Sequence, residues 1–364
     1  MRATCTVLAQ IGDLDLLIYR YAGAPAHDPP IGPYARVYTL ADCNDIEHNR
    51  TALFASAPDW LRTTPYDIIW FCQERIWLAA RGLASGRTIL DVDDLHDIVL
   101  ERWIAIGKNA CGAPLGPAER RRMIAEIDWW RAIHGQAAAE CDVVVFTSEH
   151  DRARFLFRNA VVVPNSYEPV STAARPPHSR VGAVLLYQGY LEWSTNEDAA
   201  GWLAEHVVPW VLVAEPRARL LLVGKPSARV QELSRLPYVD IVGEVDNMAP
   251  YLDVASVVVA PLRVGGGTRI KIIEAFAHRI PVVTTKIGAE GLDVVDGTHL
   301  LLGETPDKQA AACVRILRSD DLVTTLTNHA FALFEDRYQP RHTAAGVVDA
   351  VRLAAGVPGQ AFNG

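Results

Sequence analysis

Pro261–Pro281 reads PLRVGGGTRIKIIEAFAHRIP, and this stretch decides the fold. Before it runs ASVVVAP, Ala255–Pro261, β-branched enough to be a buried strand. Gly265, Gly266 and Gly267 follow as a loop, and Thr268 stands where a helix begins. Ile270, Ile273, Phe276 and Ala277 then repeat with helical period. Strand, glycine loop and helix N-terminus together make an anion site: bare backbone admits a phosphate closely, and first-turn N–H groups point at it. Arg269 and Lys271 add positive charge, and Glu274, one turn deeper, offers a carboxylate to ribose hydroxyls. The spacing is neither that of a Walker A loop nor G-x-G-x-x-G. On chemistry alone it is a cradle for a nucleoside diphosphate.

The chain has 364 residues, more than one hydrophobic core usually supports, so two domains are expected. Its formal net charge is −8 and it has no long basic run, which argues against nucleic acid as a partner. Six cysteines are scattered without a CxxC pair, so they read as reduced, mostly buried thiols and not as a zinc site or disulfide framework. No apolar stretch approaches the roughly 20 residues of a membrane span. Asp13 and Asp15 interrupt the apolar N-terminal patch, so no signal peptide is expected, and the reading is cytoplasmic.

Strand and helix patterns alternate along the chain, the signature of parallel sheets covered by helices. Expected strands in the first half are 15–19, 68–71, 88–92, 143–147 and 161–163. In the second half they are 182–187, 219–223, 239–242, 257–260, 281–284 and 299–302. The clearest helix is 117–140, and 320–355 reads as helical. Residues 166–180, SYEPVSTAARPPHSR, form a linker. Ligands of open α/β sheets bind beyond the C-terminal strand ends, so the glycine loop is expected to face a cleft between two domains.

Several spaced stretches resemble the retaining GT-B glycosyltransferases, specifically glycosyltransferase family 4 (glycosyl transferases group 1). They are LLYQGYLEWSTNEDAAGWLAEHVVPWVLVAEPRARLLLVG (185–224) and the run from DIVGEVD to AEGL (240–292). ILDVDDLHD (89–97), ECDVVVFTSEHDRARF (140–155) and VVVPNSYEP (161–169) are similar to the acceptor-side landmarks. The resemblance implies two Rossmann-like domains facing a central cleft. Residues 1–170, joined by a C-terminal helix 341–364, are the acceptor side, and residues 181–340 bind the nucleotide sugar. It implies sugar transfer from a nucleoside-diphosphate sugar to a hydroxyl acceptor (sugar, lipid-linked or natural product). Configuration is retained, and neither a metal nor a cofactor takes part. Gly189, Gly265, Gly266, Gly267, Thr268, Arg269 and Lys271 are then expected to hold the diphosphate. Glu274 holds the ribose, and Gly243 and Val245 frame the base.

The sequence departs from that pattern at four places. Many members carry a Glu eight residues before Glu274, where Gly266 stands. The Arg and Lys usual after the first C-domain strand are missing from Gly189–Asn196. A His is common after the strand 68–71; here the sequence is WFCQER, so Cys72, Gln73 or Glu74 occupies that region, and Gln73 and Glu74 are the catalytic candidates together with Lys271. Finally, RATCTVLAQIGDLDLLIY (2–19) resembles the family's first helix and second strand, so the N-domain sheet is expected to have one strand fewer. Two other readings stay open: a nucleotide-sugar epimerase of the same fold, and a non-catalytic homologue partnering an active transferase.

Among the remaining residues, the cluster Asp91, Asp93, Asp94 and His96 offers a metal or catalytic carboxylate site on one reading, but helix capping by Asp93 or Asp94 is the favoured one. Trp129 and Trp130 read as packing, His134 has no partner at ligand spacing, and Glu149 and Asp151 cap a helix after Ser148. Glu290 is divided between loop structure and donor contact.

Overall fold

The computed structural model describes residues 2–21, 34–43, 45–170 and 183–357. Most of the linker expectation (171–180), Met1 and the C-terminal end 358–364 lie outside them. The chain divides into two units. The first comprises Met1–Asp94, Trp129–Pro164 and Pro340–Gly364; the second comprises Leu95–Asp128 and Asn165–Gln339. The boundary expected near residue 170 therefore misses one exchange: residues 95–128 pack with the second unit. The reason is apolar packing, since Trp103 and Met123 share a small buried core with Val264, the residue before the glycine loop.

Among the described residues, the second unit is built on six strands: β7 (Val184–Gln188), β8 (Arg219–Val223), β9 (Val239–Gly243), β10 (Val257–Ala260), β11 (Val282–Thr284) and β12 (Leu301–Leu302). All pair in parallel, in the order β12-β11-β10-β7-β8-β9. Both faces are covered, which is why the strands read as unbroken apolar runs. Val257 and Val259 enter one core with Leu185, Tyr187 and Leu220. Val258 and Ala260 enter the other with Leu186, Ile272 and Phe276.

The described residues of the first unit hold six strands in two parallel sheets. β1 (Leu14–Tyr21) pairs with β2 (Tyr34–Asp42), and β3 (Pro65–Cys72), β4 (Ser85–Val92), β5 (Val143–Phe146) and β6 (Ala160–Val162) pair in that order. Among the described residues, no strand pairs with both β1 and β3. Residues 2–11 are helical. Side chains span the two sheets: Tyr66 donates to Asp15 at 2.8 Å, and Arg36 reaches both Asp15 and Thr64. β2 was missed in the sequence because its exposure alternates strictly, leaving no apolar run. The core of this unit joins Val7, Ile89, Val143 and Val145 to Val347, Ala350 and Ala354 of the helix Pro340–Ala354. The helical stretch expected over 320–355 breaks at Tyr338–Gln339, because Pro340 opens a new helix. No helix among the described residues is long and apolar enough to cross a membrane.

Smaller expectations resolve similarly. The N-cap of the helix His96–Ala105 is Leu95, so neither Asp93 nor Asp94 fills that position. Ser148 itself caps the helix Glu149–Arg152 by accepting from the Asp151 amide. Trp130 is buried while Trp129 is exposed.

Candidate functional site

In the second unit, strand order reverses between β7 and β10: successive strands run outward from β7 on one side and from β10 on the other. Loops leaving the two strands therefore diverge and open a crevice at their C-terminal ends. The sequence-predicted residues Gly189, the glycine loop, Lys271 and Glu274 all belong to these two loops or to the helix that follows.

After β7 the backbone passes through Gly189 at φ +147°, where a Cβ would come within 3.2 Å of the Lys271 ammonium. A Cβ on Gly224 at the end of β8 would strike the Gly189 carbonyl at 1.8 Å. Two glycines thus let neighbouring strand ends close on each other beside a cation. Lys271 donates to the Tyr187 hydroxyl at 3.0 Å and to Asn196 Oδ1 at 2.8 Å, with its ammonium 4.1 Å from the Tyr187 ring centroid. Burial and, secondarily, Arg269 lower its pKa to about 7, against the opposing pull of Glu274.

Glu274 is buried, and its Oε2 accepts from Gln188 Nε2 at 3.2 Å. The Tyr167 hydroxyl also hydrogen-bonds this carboxylate; burial first, then Glu274, pushes the phenol pKa up. The carboxylate is held from two sides with acceptor capacity to spare.

The glycine loop is buried from Gly265 to Thr268. Gly265 has φ +148° and Gly267 φ +68°. Arg102, on the helix His96–Ala105, donates to the Gly265 carbonyl and pairs with Glu290. Arg269 turns back to donate to the Gly266 carbonyl. A Cβ on Gly266 would lie 2.8 Å from the Leu95 amide nitrogen. That contact explains the absence of the expected glutamate eight residues before Glu274: backbone fills the space a side chain would need. The helix itself begins at Ile270, not at Thr268, and Arg269 occupies the N-cap without a side-chain capping bond. Lys271 is thus in the first turn, whereas Arg269 precedes it. Ile270 is exposed; Ile273, Phe276 and Ala277 are buried.

Gly243 ends β9 at φ +88°, its carbonyl accepting from Gly224, and Val245 packs on the core beneath. Gly243 is the last residue of the edge strand and Val245 lies in the loop after it, with β8 between β9 and β7.

Gln73 and Glu74 belong to the first unit. Gln73 has φ +81°, a strained value for a non-glycine residue, and its amide donates to the Asp91 carbonyl at 2.9 Å. The turn sends Glu74 inward: it is 1% exposed and lies 2.8 Å from His134 Nε2. Glu74 is therefore a buried partner and not a solvent-facing acid, and His134, read as unpartnered, is the group that holds it. Next to them Asp91 accepts from Trp70 Nε1 at 3.3 Å; burial, then Asp93, pushes its pKa up to about 7.

Sequence reasoning missed Tyr167, Gln188, Asn196 and Arg102. Gln188 carried a signal, a polar residue ending an apolar strand. Arg102 carried none, because its partners lie 163 and 188 positions away.

Residues 182–319 match the sequence profile of the family described as Glycosyl transferases group 1. A search of curated proteins by sequence returns no match. Among solved structures, sucrose-phosphate synthase from Thermosynechococcus elongatus superposes with a TM-score of 0.74 at 18% identity, covering 96% of this chain and 91% of that one. HepE from Anabaena, solved with UDP and glucose, gives 0.62 at 12% identity over 93% and 99%. A glycosyltransferase from Rickettsia africae ESF-5 gives 0.57 at 12% over 94% and 99%. At these identities the likeness is one of fold. The crevice with its glycine loop, Lys271 and Glu274 accordingly lies in the stretch that matches the Glycosyl transferases group 1 profile, within a chain of two parallel α/β units that has the GT-B fold.

Proposed function

We propose that this chain transfers a sugar from a nucleoside-diphosphate sugar to a hydroxyl acceptor, with retention of configuration and without a metal ion. The observation that carries the reading is the crevice between β7 and β10. There a glycine loop, a desolvated Lys271 and a doubly held Glu274 converge in the domain that matches the transferase profile. Charge develops on the departing diphosphate as the glycosidic bond breaks, and donors placed there lower the barrier. Arg269, Lys271 and the loop amides supply that positive potential, and Thr268 lies among them. Glu274 accepts from the ribose hydroxyls, and Gly243 and Val245 border the base. In this mechanism the diphosphate oxygens, once stabilised, take the acceptor's proton. HepE solved with UDP and glucose, and a pneumococcal O-GlcNAc transferase solved with UDP and GlcNAc, support a nucleotide-sugar donor.

A second reading, donor binding without turnover, draws on the first unit, where Glu74 is buried against His134 and the strands form two separate sheets. Thermal shift with UDP, GDP, dTDP and ADP tests the shared part, since a ligand of the native state raises the melting temperature by mass action. One of the four is expected to stabilise the chain; stabilisation by none would overturn both readings. Release of that diphosphate from its sugar conjugates only when an acceptor is present supports transfer. Binding with no release supports the second reading.

A further inference from the structure

One helix touches three consecutive residues of the glycine loop and its approach. Trp103, 1% exposed, packs with Val264; Arg102 donates to the Gly265 carbonyl; the Leu95 backbone, at the helix N-cap, backs Gly266. Arg102 is itself oriented by Glu290, in an ion pair whose side chains are only 15% and 16% exposed.

We propose that the helix His96–Ala105 braces the diphosphate loop and that Arg102 is its positioning residue. The proposal rests on the reading of that loop as the diphosphate site. A trans peptide points its C=O and N–H in opposite directions. With the Gly265 carbonyl held by Arg102, the Gly266 N–H faces away from the Arg102 guanidinium. With the Gly266 carbonyl held by Arg269, the orientation of the Gly267 N–H is likewise set. A run of three glycines left to itself samples many peptide orientations, and fixing them on binding would cost affinity. Arg102 removes that cost before the ligand arrives. Glu290, which the sequence left between loop structure and donor contact, acquires a role as the group that aims Arg102.

The test uses the full chain and titration calorimetry with two probes: inorganic pyrophosphate and whichever of UDP, GDP, dTDP and ADP stabilises the wild type. Arg102→Ala is expected to weaken both probes by about tenfold or more, the loss of a charge-assisted hydrogen bond. Amide exchange in peptides spanning residues 261–270 is expected to accelerate in the variant, with exchange in β7 and β8 unchanged. A general loss of structure would not be confined in this way. Affinities within about twofold of wild type, or exchange that rises throughout the unit, would overturn the brace. Should Arg102→Ala not fold, Glu290→Gln decides: a smaller loss for both probes supports the proposal, and no loss overturns it. A wild type that binds none of the four nucleotides defeats the site reading itself, an outcome distinct from wild-type binding that survives both substitutions.

Discussion

In the proposed diphosphate site, the proton of Lys271 sets the pH dependence. Held down to about pH 7 by burial, the ammonium is largely neutral above that value in the free protein. An anion placed beside it favours the charged form, so its pKa rises on binding. The sign follows: from about pH 7 upward, diphosphate binding takes up a proton, and affinity falls as pH rises. Calorimetry at about pH 8 in two buffers of different ionisation enthalpy should show this uptake in the wild type and none in Lys271→Ala. The same sign governs folding. A depressed lysine makes the native state bind fewer protons than the unfolded chain between about 7 and 10.5, so its contribution to stability improves as pH rises through that window. The sequence displayed Lys271 and Glu274 because both sit in a periodic helix after three glycines. It hid Arg102, and it hid the burial of Glu74 against His134. Whether a carboxylate faces solvent or a distant histidine depends on a partner 60 positions away, beyond any local pattern.

At the level of elements, parallel strands buried on both faces announce themselves. Arg219–Val223 and Val257–Ala260 are found where the apolar runs placed them. β2 escaped, because a half-exposed strand alternates and offers no run. The join between β7 and β8 depends on spacing that only glycine permits. Gly224 has φ +132° and its Cβ would meet the Gly189 carbonyl at 1.8 Å. Gly224→Ala is therefore expected to cost about 3 kcal/mol or more through backbone strain and overpacking together. Gly201, in the helix Ser194–Trp202, has open space where a Cβ would stand, so Gly201→Ala should be neutral or raise stability by up to about 1 kcal/mol. Denaturant melts of the two variants give the comparison, and equal losses would remove the steric argument.

Across the whole molecule, the second unit is not the simple C-terminal half. The segment Leu95–Asp128 belongs to it and supplies Trp103, Met123 and Arg102 to the glycine loop. A fragment covering 183–339 keeps the six strands but leaves Val264 and the loop uncovered. It is expected to bind the nucleoside diphosphate more weakly than the full chain by about tenfold or more. Equal affinity for fragment and full chain, read by calorimetry, would show that residues 95–128 are dispensable to the site. Two α/β units were legible in the alternation of strands and helices. The exchange of 95–128 was not, because the segment lies among first-unit strands in sequence and only its contacts with distant residues such as Val264, Gly265 and Glu290 assign it.

The helix Pro340–Ala354 belongs to the unit that the chain begins with. Val347, Ala350 and Ala354 fill the core between Ile89, Val143 and Val145, so the first unit has a hole until its last helix exists. Proteins made on the ribosome ordinarily complete their N-terminal domain first. Here the order of completion is reversed: the second unit has all its residues once Gln339 has emerged, while the unit started earliest waits for the final helix. Until then β4 and β5 present an apolar face that this helix has yet to cover. The nascent chain therefore passes through a stage at which its second unit is whole while the first still exposes apolar surface on β4 and β5.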